Sequence, residues 1–194
     1  IKNISFVQGD ILDIKTLDDR FDIIESVGVI HHMESPIEGL KCLLSVLKKN
    51  GFIKLGLYSE IARRNIIQFQ RRHPIDNINI TEEKIQHYRS QILNTSNKDD
   101  KSLMIFNDFY TMSDFRDMLF HVKEHSYRIS DIINMLDNVG LEFCGFVGYR
   151  GYENGKSNFN TSEFDKFNLL DWDEIEKNNP DTFSGMYQFW CKRI

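Results

Sequence analysis

The chain has 194 residues, 41% of them hydrophobic and 27% charged, the balance of a globular domain with room for an insertion. Its net charge of −5 comes with no basic stripe, which argues against a nucleic-acid partner, and no apolar run reaches the roughly 18–20 residues of a membrane span. Cys42, Cys144 and Cys191 are odd in number and widely spaced, so they suggest neither a metal site nor a disulfide framework and fit a reducing, cytoplasmic setting.

The chain opens on Ile1 rather than Met and almost inside a strand pattern, as a piece of a longer protein would. Ile4 to Val7 reads as a short strand stopped by Gly9-Asp10, and Phe21 to Ile24 as a second run, apolar on both faces like a strand of a covered parallel sheet. Pro36 follows Ser35 at a first helical position, and Ile37, Leu40, Leu43, Leu44 and Leu47 repeat at helical spacing. Lys48, Lys49 and Gly51 read as the end of that helix, and 52–59 as a third strand, completing a βαβ unit.

The middle is helical. Segments 60–73 and 81–93 are amphipathic, the latter capped by Thr81; 94–102 reads as a polar loop; and 113–125 reads as a helix capped by Ser113. A helix over 130–140 closes on Gly140 and leads to a strand over 141–147. Residues 148–181 are polar and irregular with a short helix near 171–178, and 185–193 alternates like a terminal strand.

The segments "FVQGDILDI", "FDIIESVGVIHHMESP" and "LKKNGFIKLGLYS" resemble the later half of a class I S-adenosylmethionine-dependent methyltransferase. "GLYSEIARRNI", "SDFRDMLFHVKEHSYRISDI" and "NPDTFSGMYQFW" are similar to methyltransferase domains fused to tetratricopeptide repeats in bacteria. The resemblance implies a Rossmann-like α/β sheet truncated at its N-terminus: a partial cofactor domain over 1–59, a helical insertion or cap over 60–128, and a closing helix and strands over 129–194. No G-x-G-x-x-G precedes Ile4, so two strands and the Gly-rich cofactor loop are expected upstream, and the fragment alone is expected to be inactive.

Open α/β sheets bind ligands at the carboxyl ends of their strands. By resemblance Asp10 and Ile11 hold the adenine of S-adenosylmethionine, while Ser26, Val27 and Gly28 pass its methionine part. For Asp10 the plain alternative is an Asx-type turn, and for Gly28 a bulge or a packing glycine. His31 and His32 follow the strand where the acceptor enters, and a neutral imidazole there takes the acceptor's proton. The alternative is a histidine that caps or packs against the next helix. Gly28 and His31 stand where some relatives place metal ligands, so no metal is expected.

Tyr58, Arg63, His121 and His125 are the candidates for acceptor contact. Arg63 and Arg64 suit an anionic acceptor, against the plain reading of a solvated helix face. "HVKEH" (121–125) matches the H-x-x-E-H pattern of inverted zinc peptidases. On a helix, His121 and His125 fall at the edge of the apolar face and Glu124 on the wet side. A peptidase would need a third ligand, and the rest of the chain points elsewhere. The expected function is methyl transfer from S-adenosylmethionine to an unidentified acceptor; the alternative is a non-catalytic, methyltransferase-like interaction module.

Overall fold

A computed structural model describes residues 3–74, 80–149 and 164–194, together with the backbone of 152–153 and 156–157. Strand β1 (Phe21–Val27) leads through a 3-10 turn (Ile30–His32) into helix α1 (Pro36–Val46), which returns to strand β2 (Leu47–Ser59). β1 and β2 run parallel, with Ser26 opposite Leu55. Helices α2 (Arg64–Arg72), α3 (Glu82–Asn94), α4 (Lys98–Ser102) and α5 (Met112–Phe120) follow. A two-residue strand β3 (Ser126–Tyr127) pairs with the end of β2. Helix α6 (Ile129–Val139) then gives strand β4 (Leu141–Val147); β5 (Tyr152–Glu153) and β6 (Lys156–Ser157) pair with each other; helix α7 (Leu169–Asn178) precedes β7 (Tyr187–Arg193). The main sheet runs β1-β2-β7-β4, with β7 antiparallel to both neighbours.

Two apolar cores result. Leu40, Leu43 and Leu44 of α1, Ile53, Leu55 and Leu57 of β2, Ile132 and Leu136 of α6 and Phe189 of β7 form the sheet core. Ile66, Phe69, Ile92, Phe115 and Leu119 form a second one among the helices between β2 and β3. Among the described residues no helix is long and apolar enough to cross a membrane.

Several expectations are corrected. Residues 4–7 form no strand and leave Phe6 94% exposed: they pair with no described strand, and a lone extended segment has neither a ladder nor a buried face to hold it. α1 stops at Val46, and the turn attributed to Gly51 is taken by Asn50, at φ 63°. Lys48 lies in β2 and bonds both oxygens of Asp22 across the strand pair. Gly51 serves close approach instead: a Cβ there would lie 2.9 Å from the Asp22 carbonyl oxygen.

The 94–102 loop contains α4, capped by Asn97, and its buried Asp100 pairs with Arg72. α5 is capped by Thr111, not Ser113, and ends at Phe120. The short helix near 171–178 begins earlier, at Leu169. Gly140, at φ 68°, closes α6 as expected.

Candidate functional site

β1 ends on Ser26 and Val27, and Gly28 turns the chain at φ 75°. A Cβ on Gly28 would meet only Met186, at 3.9 Å, so the glycine serves the turn rather than a tight approach. The Gly56 carbonyl of β2 accepts two donors from this exit: the Gly28 N–H at 3.3 Å and His31 Nδ1 at 3.2 Å. A carbonyl only accepts, so the proton of the neutral His31 ring sits on Nδ1 and its lone pair on Nε2. Gly56 has no room for a side chain, since a Cβ would lie 2.6 Å from Val27 Cγ1. Ser26 Oγ and His31 Nε2 are buried and have no hydrogen-bond partner among the described residues.

His31 is 0% exposed. Burial, reinforced by the neighbouring His32, holds its pKa down to about 4. Its ring lies 4.0 Å from His32 and 4.6 Å from Tyr58. His32 is half-buried, donates from Nδ1 to the Lys123 carbonyl at 3.0 Å, and stacks on His121 at 3.8 Å. Its pKa is lowered too, mainly by burial, with the Lys123 bond opposing.

The segment 121–125 is not helical; His121 already has extended backbone (φ −65°, ψ 130°). It forms a strap across the histidine pair. The His125 N–H donates to the His31 carbonyl at 2.9 Å, and His125 Nε2 donates to the Met33 carbonyl at 3.1 Å. Lys123 pairs with Glu34. The two strap histidines therefore do not share a helical face, which removes the geometry of the H-x-x-E-H reading. Among the described residues no three His, Cys, Asp or Glu side chains are grouped to hold a metal.

Arg63 is not on a solvated face. It is 2% exposed, pairs with Glu124 at 2.9 Å, donates to the Met118 carbonyl at 3.2 Å, and lies 3.9 Å from the Tyr58 ring centroid. Glu124, expected on the wet side, is instead its partly buried counter-ion, with a pKa raised by burial and held back by Arg63. Arg64 pairs with Asp181 at 3.0 Å. Thus His31, His32, Tyr58, Arg63 and His121 converge, and His125 anchors the strap. Asp10 lies apart and exposed; its Oδ1 accepts the Leu12 N–H at 2.8 Å, an Asx-type cap on the 3-10 helix Ile11–Thr16, and its Oδ2 accepts no bond among the described residues. A cavity of about 670 Å³ lies on the far side of the strap, with His121 and Glu124 in its wall.

Sequence reasoning missed Glu124 and a second carboxylate. Glu176 of α7 is 0% exposed and accepts from Ser59 Oγ and Tyr187 OH, each at 2.5 Å. Ser59 Oγ in turn accepts the Ala62 N–H that starts the turn toward Arg63. Burial raises the Glu176 pKa against both hydrogen bonds. A carboxyl raised in the folded state binds its proton more tightly there than unfolded, so its contribution is full below the unfolded pKa and is lost as pH rises through the folded one. Glu176→Gln is therefore expected to gain stability relative to the parent protein as pH rises toward 8. In thermal melts that advantage disappears at pH 4; an advantage that grows toward acid would contradict this.

Residues 1–55, which include Asp10, Ser26, Gly28, His31 and His32, match a family model described as a methyltransferase domain. The uncharacterized protein syc1184_c of Synechococcus sp. is 28% identical over 154 residues, 74% of this chain and 36% of that protein. PKMT2 from Rickettsia typhi, solved in complex with AdoHcy, superposes with a TM-score of 0.62 at 12% identity, over 94% of this chain and 37% of that one. A second PKMT2 structure gives a TM-score of 0.60 at 13% identity over the same shares. The chain spans little more than a third of the length of these relatives. Its fold is the Rossmann-like α/β fold of class I methyltransferases, and its first 55 residues match a methyltransferase domain.

Proposed function

We propose that this chain forms the acceptor side, and part of the cofactor side, of an S-adenosylmethionine-dependent methyltransferase. The observation that carries the reading is His31: a buried imidazole with Nδ1 committed to Gly56 and Nε2 unpartnered, at the carboxyl end of a parallel strand pair. The second oxygen of Asp10, free of the Leu12 bond, takes the adenine amino group, and the Ile11 N–H meets the ring. Ser26, Val27 and Gly28 face the methionine side, where the buried Ser26 hydroxyl has a donor to offer.

Bound cofactor supplies an electrophilic methyl group on sulfur. The chain's own residues position the acceptor in line and remove its proton. His31 Nε2 takes that proton, while His32 and Tyr58 shape the wall around it. An imidazole held near 4 is too weak to strip a resting alcohol or an aliphatic ammonium. It suits a proton made acidic as the methyl arrives, which favours an oxygen acceptor or a weakly basic nitrogen. A cytoplasmic location and tetratricopeptide repeats in the parent chain belong to the same reading.

The test is calorimetric titration of S-adenosylhomocysteine into the full-length parent protein and its Asp10→Ala variant. Micromolar binding, weakened about 10- to 100-fold in a variant of unchanged far-UV circular dichroism, is expected for the loss of one charge-assisted hydrogen bond. No binding by the folded parent would overturn the enzyme reading in favour of an interaction module.

A further inference from the structure

The cavity behind the strap carries a second chemistry. Its volume, about 670 Å³, is that of a small-molecule site. One wall is the face of α2 on which Arg64, Ile67, Gln68 and Arg71 recur at helical spacing. The opposite wall brings Leu119 and Val122 beside His121 and Glu124. The cavity lining is mostly polar, with Ile67 and Val122 as its accessible apolar side chains, and His121 and Glu124 separate it from the histidine pair: His121 borders it and stacks on His32, and Glu124 borders it and holds Arg63.

With their partners counted, the charges of this lining leave one arginine over. Glu60 accepts two bonds from Arg128, at 2.8 and 3.2 Å. Glu124 is neutralised by Arg63, and Arg64 by Asp181. Arg71 alone among the charged side chains lining the cavity has no carboxylate within ion-pair distance among the described residues. An arginine fork with Gln68 beside it matches the planar, bidentate geometry of a carboxylate.

We propose that this cavity binds a small carboxylate, with its anionic end on Arg71 and its apolar body against Ile67 and Val122.

Methyl-resolved NMR tests this with benzoate as the probe, benzyl alcohol as its neutral counterpart and inorganic phosphate as a bare anion. Benzoate is expected to shift the Ile67, Leu119 and Val122 methyl resonances and to bind at least tenfold more tightly than either control. Arg71→Ala, at an exposed position that the fold does not need, should bring benzoate down to the level of benzyl alcohol, and Arg71→Lys should restore part of the difference. Equal binding of benzoate and benzyl alcohol, an Arg71→Ala variant that binds benzoate unchanged, or no shifts at these methyls would overturn the proposal. Phosphate binding as tightly as benzoate would also overturn it, by reducing the cavity to a bare anion site. Because these titrations contain no cofactor, their failure and the failure of S-adenosylhomocysteine binding are read separately.

Discussion

Replacing His31 with asparagine is expected to lower kcat for methyl transfer by about 10²-fold or more while the protein stays folded, the range set by removing a positioned general base. The asparagine amide keeps an N–H close to where Nδ1–H now meets the Gly56 carbonyl, so the exit from β1 stays pinned to β2. The Nε2 lone pair is lost, together with the ring contacts to His32 and Tyr58. Binding of S-adenosylhomocysteine should be unchanged, which separates a chemical role from a structural one. On the proposed mechanism the full-length protein should also keep His31 working as a base as pH falls below 6.5, down to about 4, because burial holds His31 neutral across that window. Stability moves the other way there. The folded state resists a proton that the unfolded chain accepts, so stability falls from pH 6.5 to 4, at a cost of about 3 kcal/mol once both are passed. A kcat unchanged in His31→Asn would take His31 out of the chemistry.

Glu124→Gln is expected to cost about 3–5 kcal/mol in urea unfolding, a large share of the roughly 5–15 kcal/mol that holds a domain together. The reason is the partner left behind. Arg63, with its side chain 3% exposed, would keep its charge with only the Met118 carbonyl and the Tyr58 face beside it. The double variant Arg63→Met/Glu124→Gln should recover a good part of the loss, since neither charge is then stranded. The single variants should also move His32 in opposite directions. Losing Glu124 leaves Arg63 uncompensated and lowers the His32 pKa further; losing Arg63 removes one of the charges that hold it down. A cost below 1 kcal/mol would mean that the pair behaves as a surface salt bridge.

The sequence made the local devices readable. Pro36 and the leucine repeat define α1, and Gly140 closes α6, because caps and periodicity act within a few residues. The boundary at 47–51 misled because two lysines and a glycine suit a helix end, whereas the Lys48 pairing with Asp22 comes from 26 residues away. The strap misled for a related reason: the helical pattern of 113–120 was carried on through 121–125, where contacts to His31, His32 and Met33 set the backbone instead. Arg63 and Glu124 lie 61 positions apart, and Ser59 and Glu176 117 apart. No local pattern marks such pairs, and an isolated Arg or Glu reads as solvated until the fold brings its partner. The histidine pair stood out as a candidate because it follows the strand end at which the methyltransferase resemblance places the acceptor.

The most direct measurement is a crystal structure of the full-length protein with S-adenosylhomocysteine. The account predicts adenine beside Asp10 and Ile11, the homocysteine portion along Ser26 to Gly28, and the sulfur turned toward the His31 side of the sheet, with the α2 cavity left free of it. A ligand seated in the α2 cavity, or one bound away from Gly28 and His31, would contradict the account at its centre.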